Sequence, residues 1–391
     1  MKILLVIPDG WPDTPQPKLH NRTPLEVAEM PTIKGLAFTG MVGTAEIITE
    51  EEQGDTSYAL MKILGVENAQ LTGRGFYEAL DWGIDLDEGE FAARVQLSTS
   101  DGKSIITPNS GNLTTAETKE LINLLNSELP FDNIKFHFSN RKNQLVTFKG
   151  HHDYLVNLSS PWEVLNKEFS EYMPSIDSEL AVLMKKCAEI LETAEINEVR
   201  KSIGEQPVNF AYIWGMGKAR RYKTMKIDRE IKFAMVSYST MARGIGLAAG
   251  AKTVYKPEED KSSRRELRML YQEARKALVN HDIVAVHLGF TDNYTKIENP
   301  MGKVAALRTI DENFIAPIVE ELRKYEHHKF LLVPTLGSDS STRTHLKTPV
   351  PFLAWGEGIE HVNNKGFNEK SAIESGIKIK SDEKFLAKFI Y

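Results

Sequence analysis

The chain has one cysteine, Cys187, in 391 residues. It cannot close an internal disulfide, and its apolar and basic surroundings point to a buried structural thiol in a reducing compartment. No apolar run approaches the roughly 20 residues that span a bilayer. The first one, residues 3–7, is too short for a secretory leader and ends in Pro-Asp-Gly, which fits a cytoplasmic protein without membrane association. Positive charge is also in deficit. With 48 Lys and Arg against 54 Asp and Glu the net charge is −6, which removes the electrostatic basis for a nucleic-acid partner. Internal repeats and low-complexity segments are lacking, which excludes a repeat architecture. What is left is a globular chain, 41% hydrophobic and 26% charged, long enough for two lobes.

The organising stretch is Lys2-Ile-Leu-Leu-Val-Ile-Pro-Asp-Gly-Trp-Pro-Asp13. Residues 3–7 form an unbroken apolar run with three β-branched members, the pattern of a strand buried on both faces. Pro8 cannot donate to a ladder, so the strand ends there and Asp9-Gly10 turns, leaving a carboxylate at the carboxyl end of a central strand. Ligands of open α/β sheets bind at that edge. Taken alone, Asp9 is better read as a turn residue capping its own backbone.

Further along, Thr23-Pro24-Leu25-Glu26 carries an N-cap, a proline at the first helical position and an acid in the first turn. Residues 41–48 read as a strand, 58–64 as a helix closed by Gly65, 76–82 as a helix after Thr72-Gly-Arg-Gly75, and 114–125 as a capped helix. From about residue 133 to 238 the texture changes to short strands (135–139, 145–149), a long amphipathic helix (177–194) and a Gly/Pro-punctuated stretch (202–221). The last third alternates again: helix 264–278, strand 283–288, helix 301–324, strand 330–334, strand 351–355. Strands alternating with long helices imply parallel βαβ units. The expected architecture is α/β, with a core of residues 1–130 and 245–391 and an inserted α+β lobe of residues 131–244.

Three later loops follow predicted strands and can bring polar groups to Asp9. Asp55-Thr56-Ser57 places hydroxyls at a helix start, where free N–H groups suit a nucleophile and a phosphate. Thr291-Asp292 follows the strand ending at Leu288, and residues 335–345 carry Asp339 and His345. Two aspartates, a hydroxyl and a histidine at strand ends suit phosphoryl transfer assisted by a divalent ion. Each also has an ordinary structural use: Asp55 as helix cap, Asp292 as turn cap, His345 as a loop histidine.

The order of motifs resembles the archaeal-type, 2,3-bisphosphoglycerate-independent phosphoglycerate mutases, a branch of the alkaline phosphatase superfamily. The resemblance runs through the Asp9-Gly10 turn, Thr23-Pro-Leu-Glu-Val-Ala28 with Pro31, Leu64-Gly65 and Gly73-Arg-Gly-Phe-Tyr-Glu-Ala79. It continues through Asn197-x-x-Arg200-x-x-x-Gly204, Pro207-x-Asn209, Trp214-Gly-Met-Gly217, Gly244-Ile-Gly246 with Gly250, Lys303 to Asp311, and His345-x-x-x-Pro-Val-Pro-Phe-Leu353. It implies a three-layer, mainly parallel core with a lid lobe. It also implies a cytoplasmic isomerase that interconverts 3- and 2-phosphoglycerate in glycolysis through a phosphorylated hydroxyl, helped by two divalent ions (Mn, Mg, Zn or Co).

Carried over position by position, the resemblance puts Thr56 at the nucleophile, with Asp55 or Ser57 there if the register slips. Asp9, Asp292 and His345 fall on metal ligands, and Arg74, Arg141 and Arg200 on anion ligands for a small phosphorylated metabolite. The departures cluster at the metals. Lys296 stands where the family has a histidine, Thr335-Leu336 stands where it has Asp-His, and its Pro-His-Asp stretch falls near Pro161-Trp162-Glu163. At most one well-held ion is therefore expected, with Lys296 as a fixed cation in its place. A relative that binds or regulates without turnover, and another phosphotransferase or phosphatase of the superfamily, are the alternatives.

Overall fold

The computed structural model describes residues 1–52, 55–66, 72–111, 113–140, 144–150, 158–222, 231–253, 263–362 and 366–390. Contacts divide them into two compact units, Met1–Leu71 with Tyr222–Tyr391, and Thr72–Arg221. The strand Phe91–Ser100 pairs along one side with Gln144–Phe148 and along the other with Phe210–Lys218. Phe233–Ser237 pairs with Ile283–Leu288. By strand pairing the division thus lies near residues 71 and 221, where the sequence texture placed it at 130 and 244.

In the first unit an eight-stranded sheet runs, in order, Lys378–Ile379, Met41–Ala45, Val350–Gly356, His328–Leu332, Lys2–Pro8, Ile283–Leu288, Phe233–Ser237 and Lys252–Thr253. The run of strands from His328–Leu332 to Lys252–Thr253 is parallel, and Val350–Gly356 is antiparallel to both of its neighbours. Ile3 to Ile7 are buried, as a strand covered on both faces requires. Leu4, Val6, Val284, Val286, Phe330 and Leu332 join one apolar core with Leu307, Phe314 and Ile318 of the helical stretch Pro300–Leu322. That stretch, expected as one helix, is interrupted by a π-turn over Asp311–Ile315. The buried Asp311 carboxylate accepts from the Thr32 and Ile33 amides, closing the free N–H groups at the start of the helix Pro31–Thr39.

Strand direction decides which loops meet. Lys2–Pro8, Ile283–Leu288, Phe233–Ser237 and His328–Leu332 all end at one edge of the sheet. Val350 begins its antiparallel strand there, and its register partner Ala45 ends another there. Residues 9–13, 46–52, 289–291 and 333–349 therefore leave from the same edge.

The second unit is an antiparallel sheet carrying its own core, in which Cys187 is fully buried. Burial pushes that thiol up to about 12, so it stays protonated and inert. Phe210–Lys218, part of the Gly/Pro-punctuated stretch 202–221 in which the sequence marks no element, is a buried strand whose glycines serve contact. A Cβ on Gly73 would stand 1.9 Å from the Met216 carbonyl oxygen, one on Gly75 2.3 Å from that of Ala92, and one on Gly217 2.3 Å from that of Gly73. Side chains at these positions would push the helix Arg74–Asp81 off the sheet.

Candidate active site

The Asp9-Gly10 turn sits where the opening strand predicts. Gly10 has φ +63°, and a Cβ there would lie 3.1 Å from Asp292 Oδ1, so the turn both needs glycine and presses against the second aspartate. Thr291 Oγ1 donates to the Asp9 carbonyl at 2.7 Å, and the Thr335 amide donates to the Pro8 carbonyl at 3.0 Å. Three loops are stitched together at the sheet edge.

Asp9 is not short of partners. Thr335 Oγ1 donates to its Oδ1 at 2.6 Å, and His287 Nε2 donates to its Oδ2 at 3.0 Å. Because a carboxylate only accepts, the proton lies on His287 Nε2. Nδ1 faces Ser237 Oγ at 3.1 Å, which in turn accepts from the Ser239 amide at 3.0 Å. His287 and Ser237 were missed from the sequence. The available signal was a histidine inside the apolar run Ile283–Leu288 and a serine closing Phe233–Ser237, polar residues in strands buried throughout.

Asp292, next in the site, is buried and holds two partners. His345 Nε2 lies 2.7 Å from its Oδ1 and Lys296 Nζ 2.8 Å from its Oδ2. Burial alone would push the carboxyl up, but His345, then Lys296, outweigh it and hold it near 2. The hydrogen bond to Asp292 raises His345 above its ordinary value against the opposing effect of burial, with a further push from the Asp9 charge. Among the described residues Lys296 pairs with Asp292 alone, its side chain 61% exposed, and it does not sit between both aspartates as a buried ammonium.

Thr56 is the first helical residue of Thr56–Ile63. Asp55 caps that helix, its Oδ1 accepting from the Ser57 and Tyr58 amides at 2.8 and 3.2 Å, and Ser57 Oγ turns inward onto Met241 Sδ at 3.2 Å. Of the three candidates for the nucleophile, Asp55 and Ser57 thus have structural work. Lys347 Nζ donates to the Glu52 carbonyl at 2.5 Å, tying the loop before Thr56 to the hairpin arm Thr344–Leu346 that carries His345.

A second buried cluster lies behind these loops. Lys303 Nζ, fully buried, donates to Asp13 Oδ2 at 2.6 Å, Ser338 Oγ at 2.6 Å and Thr295 Oγ1 at 3.1 Å. Asp13 also accepts from the Ser340 hydroxyl and amide and from the Thr14 amide. Burial draws the ammonium below its ordinary value, and the Asp13 charge opposes that.

The arginines divide. Arg200 is buried, and its guanidinium donates to Glu117 at 2.8 Å, to the Gln206 carbonyl at 2.8 Å and to the Ser110 carbonyl at 2.5 Å. These contacts make it a structural residue of the second unit, not the anion ligand that the motif suggested. Arg74 is exposed at the first position of the helix Arg74–Asp81. Arg141 lies outside the described residues.

The resemblance implies two divalent ions, and the donors present do not fit them. The Asp9 oxygens accept from a histidine and a threonine, Leu336 offers no ligand atom and is buried, and an ammonium sits on Asp292. Among the described residues no group of three His, Cys, Asp or Glu side chains is placed to hold a metal.

A family model described as 2,3-bisphosphoglycerate-independent phosphoglycerate mutase matches residues 37–197. The 2,3-bisphosphoglycerate-independent phosphoglycerate mutase 2 of Methanothermobacter thermautotrophicus is 26% identical over 381 residues, covering 96% of this chain and 94% of its own. A solved structure from Pyrococcus horikoshii superposes with a TM-score of 0.77 at 22% identity, over 100% of this chain and 96% of the other. The cofactor-independent phosphoglycerate mutase from Thermoplasma acidophilum gives 0.62 at 22% identity, over 97% of each chain. The structures support the α/β fold. Over nearly its whole length the chain is thus similar to 2,3-bisphosphoglycerate-independent phosphoglycerate mutases of archaea.

Proposed function

We propose that this chain is a phosphoglycerate mutase-like protein that takes a small phosphorylated acid at the sheet edge, with Thr56 as the phosphoryl-accepting hydroxyl. Relatives named as phosphoglycerate mutases over nearly the whole chain support the substrate class. The observation that carries the reading is the bond from Lys347 to the Glu52 carbonyl, because it brings the loop leading into Thr56 to the hairpin holding His345 over Asp292. In the proposed transfer the Thr56 Oγ1–P bond forms as the donor's P–O bond breaks, the Thr56 hydroxyl proton ending on the leaving oxygen, and the reverse step returns the phosphoryl group to the other hydroxyl of the same metabolite, whose proton returns to Thr56.

The test is conversion of 3- to 2-phosphoglycerate, coupled to enolase, with and without added Mn, Mg, Zn or Co. Turnover that Thr56→Ala abolishes supports the reading, and turnover unchanged in Thr56→Ala removes Thr56 from it. A second reading, binding without turnover, is favoured by the hydrogen bonds that already satisfy Asp9. It predicts that phosphoglycerate binds and raises the melting temperature while no product forms under any metal. Hydrolysis of p-nitrophenyl phosphate in place of mutase turnover would point to a phosphatase instead.

A further inference from the structure

Two features of the Asp292 site go together. The carboxylate is buried, 7% exposed, while the groups on its two oxygens face outward, Lys296 at 61% and His345 at 32%. Lys296 offers an ammonium with three N–H donors, one of which meets Asp292. His345 contacts Asp292 through Nε2, and its Nδ1 has no partner among the described residues. A divalent ion on Asp292 would have to displace this ammonium or sit against it, which like-charge repulsion opposes. The neighbouring carboxylate, Asp9, is only 13% exposed and is held from within by His287 and Thr335. The exposed chemistry over Asp292 is therefore donors and positive charge, with its carboxylate behind them.

We propose that Lys296 and His345, set over Asp292, form a metal-independent receptor for the phosphoryl group of the ligand. The ammonium stands in for an ion, supplying charge and hydrogen-bond donors to phosphate oxygens from a carboxylate-anchored position. For the identity of the metabolite the proposal rests on the phosphoglycerate reading. The contact itself requires only a phosphoryl group.

The experiment uses the full chain, stripped with EDTA and shown metal-free by elemental analysis. It is titrated with 3-phosphoglycerate and with inorganic phosphate by calorimetry and phosphorus NMR. Both ligands are expected to bind without metal, phosphoglycerate the more tightly. Lys296→Met is expected to weaken both by about tenfold or more, the scale of one charged hydrogen bond. Lys296→Arg should restore most of the binding. An unchanged melting temperature in Lys296→Met shows that the exposed side chain was removed without unfolding. Phosphate binding that depends on Lys296, with phosphoglycerate no tighter, leaves the receptor standing and overturns the phosphoglycerate reading. Binding that appears only after Mn is added, or that ignores Lys296→Met, overturns the receptor and leaves the phosphoglycerate reading intact. Absence of binding under every condition overturns both.

Discussion

Replacing Lys303 with methionine tests how the site loops are held, because the side chain keeps its length and loses only its charge and donors. Three hydrogen bonds disappear, to Asp13, Ser338 and Thr295, all in a region closed to water. Removing one partner of a buried ion pair costs about 3–5 kcal/mol, mostly because the other charge stays behind. Here Asp13 keeps donors from Ser340 and Thr14, which places the loss near the low end, about 3 kcal/mol. For a unit of this size each kcal/mol lowers the melting temperature by about 2–4 °C, so a drop of roughly 6–12 °C is expected. Adding Asp13→Asn removes the stranded charge, so the double variant should recover part of the loss. The cycle should show a coupling above about 1 kcal/mol. Calorimetry and urea titration of the four proteins read this directly. A Lys303→Met variant within about 0.5 kcal/mol of the parent, the range of an ordinary surface change, would refute the reasoning, as would a strictly additive cycle.

Three other outcomes are expected. Lys296→His with Thr335→Asp and Leu336→His restores the donors that the family pattern has. The triple variant should retain Mn after dialysis, measured by elemental analysis, where the parent retains none, and equal metal content in the two would show that the ligand argument is wrong. The pH dependence of melting should carry two limbs. Asp292, held near 2 against an unfolded value of 3.8, contributes stability above about pH 4 that is lost as pH falls toward 2. His345, raised above 6.5 in the fold, contributes stability fully present below 6.5 and lost as pH rises through its folded value. His345→Gln should remove the alkaline limb, and a persistent one would assign it elsewhere. Arg200→Met should lower the melting temperature of the second unit by stranding Glu117 and two carbonyls while leaving phosphate affinity within twofold, and a selective loss of affinity would return Arg200 to the binding site.

The central strands were legible because burial on both faces leaves a plain mark, a run such as residues 283–288 with no alternation. The turn at Asp9 and the cap at Thr23 were legible for local reasons, proline, glycine and a capping box. Phe210–Lys218 was not, because its glycines read as breaks when they permit a helix to lie against the sheet. The partners of Asp9 were hidden for a different reason. His287 and Ser237 are separated from it by 278 and 228 positions, and only the strand order makes them neighbours. Motif matching finds a ligand that is missing more readily than the residue that has taken over its contact.

Thr335, Asp9, His287 and Ser237 lie at or just past the carboxyl ends of four strands that are adjacent in the sheet, His328–Leu332, Lys2–Pro8, Ile283–Leu288 and Phe233–Ser237. Their hydrogen bonds thus run across the sheet like a tie-rod, one link per strand boundary. The apolar residues beneath are mostly Val, Ile, Leu and Ala, and such a core distinguishes only weakly between one alignment of a doubly buried strand and the next. A slip of one residue in either central strand would turn its member of the row to the opposite face and break two links, and a slip in either outer strand would break one. The polar row therefore selects the strand alignment that builds the site, and folding into the correct sheet and assembling the pocket become a single event.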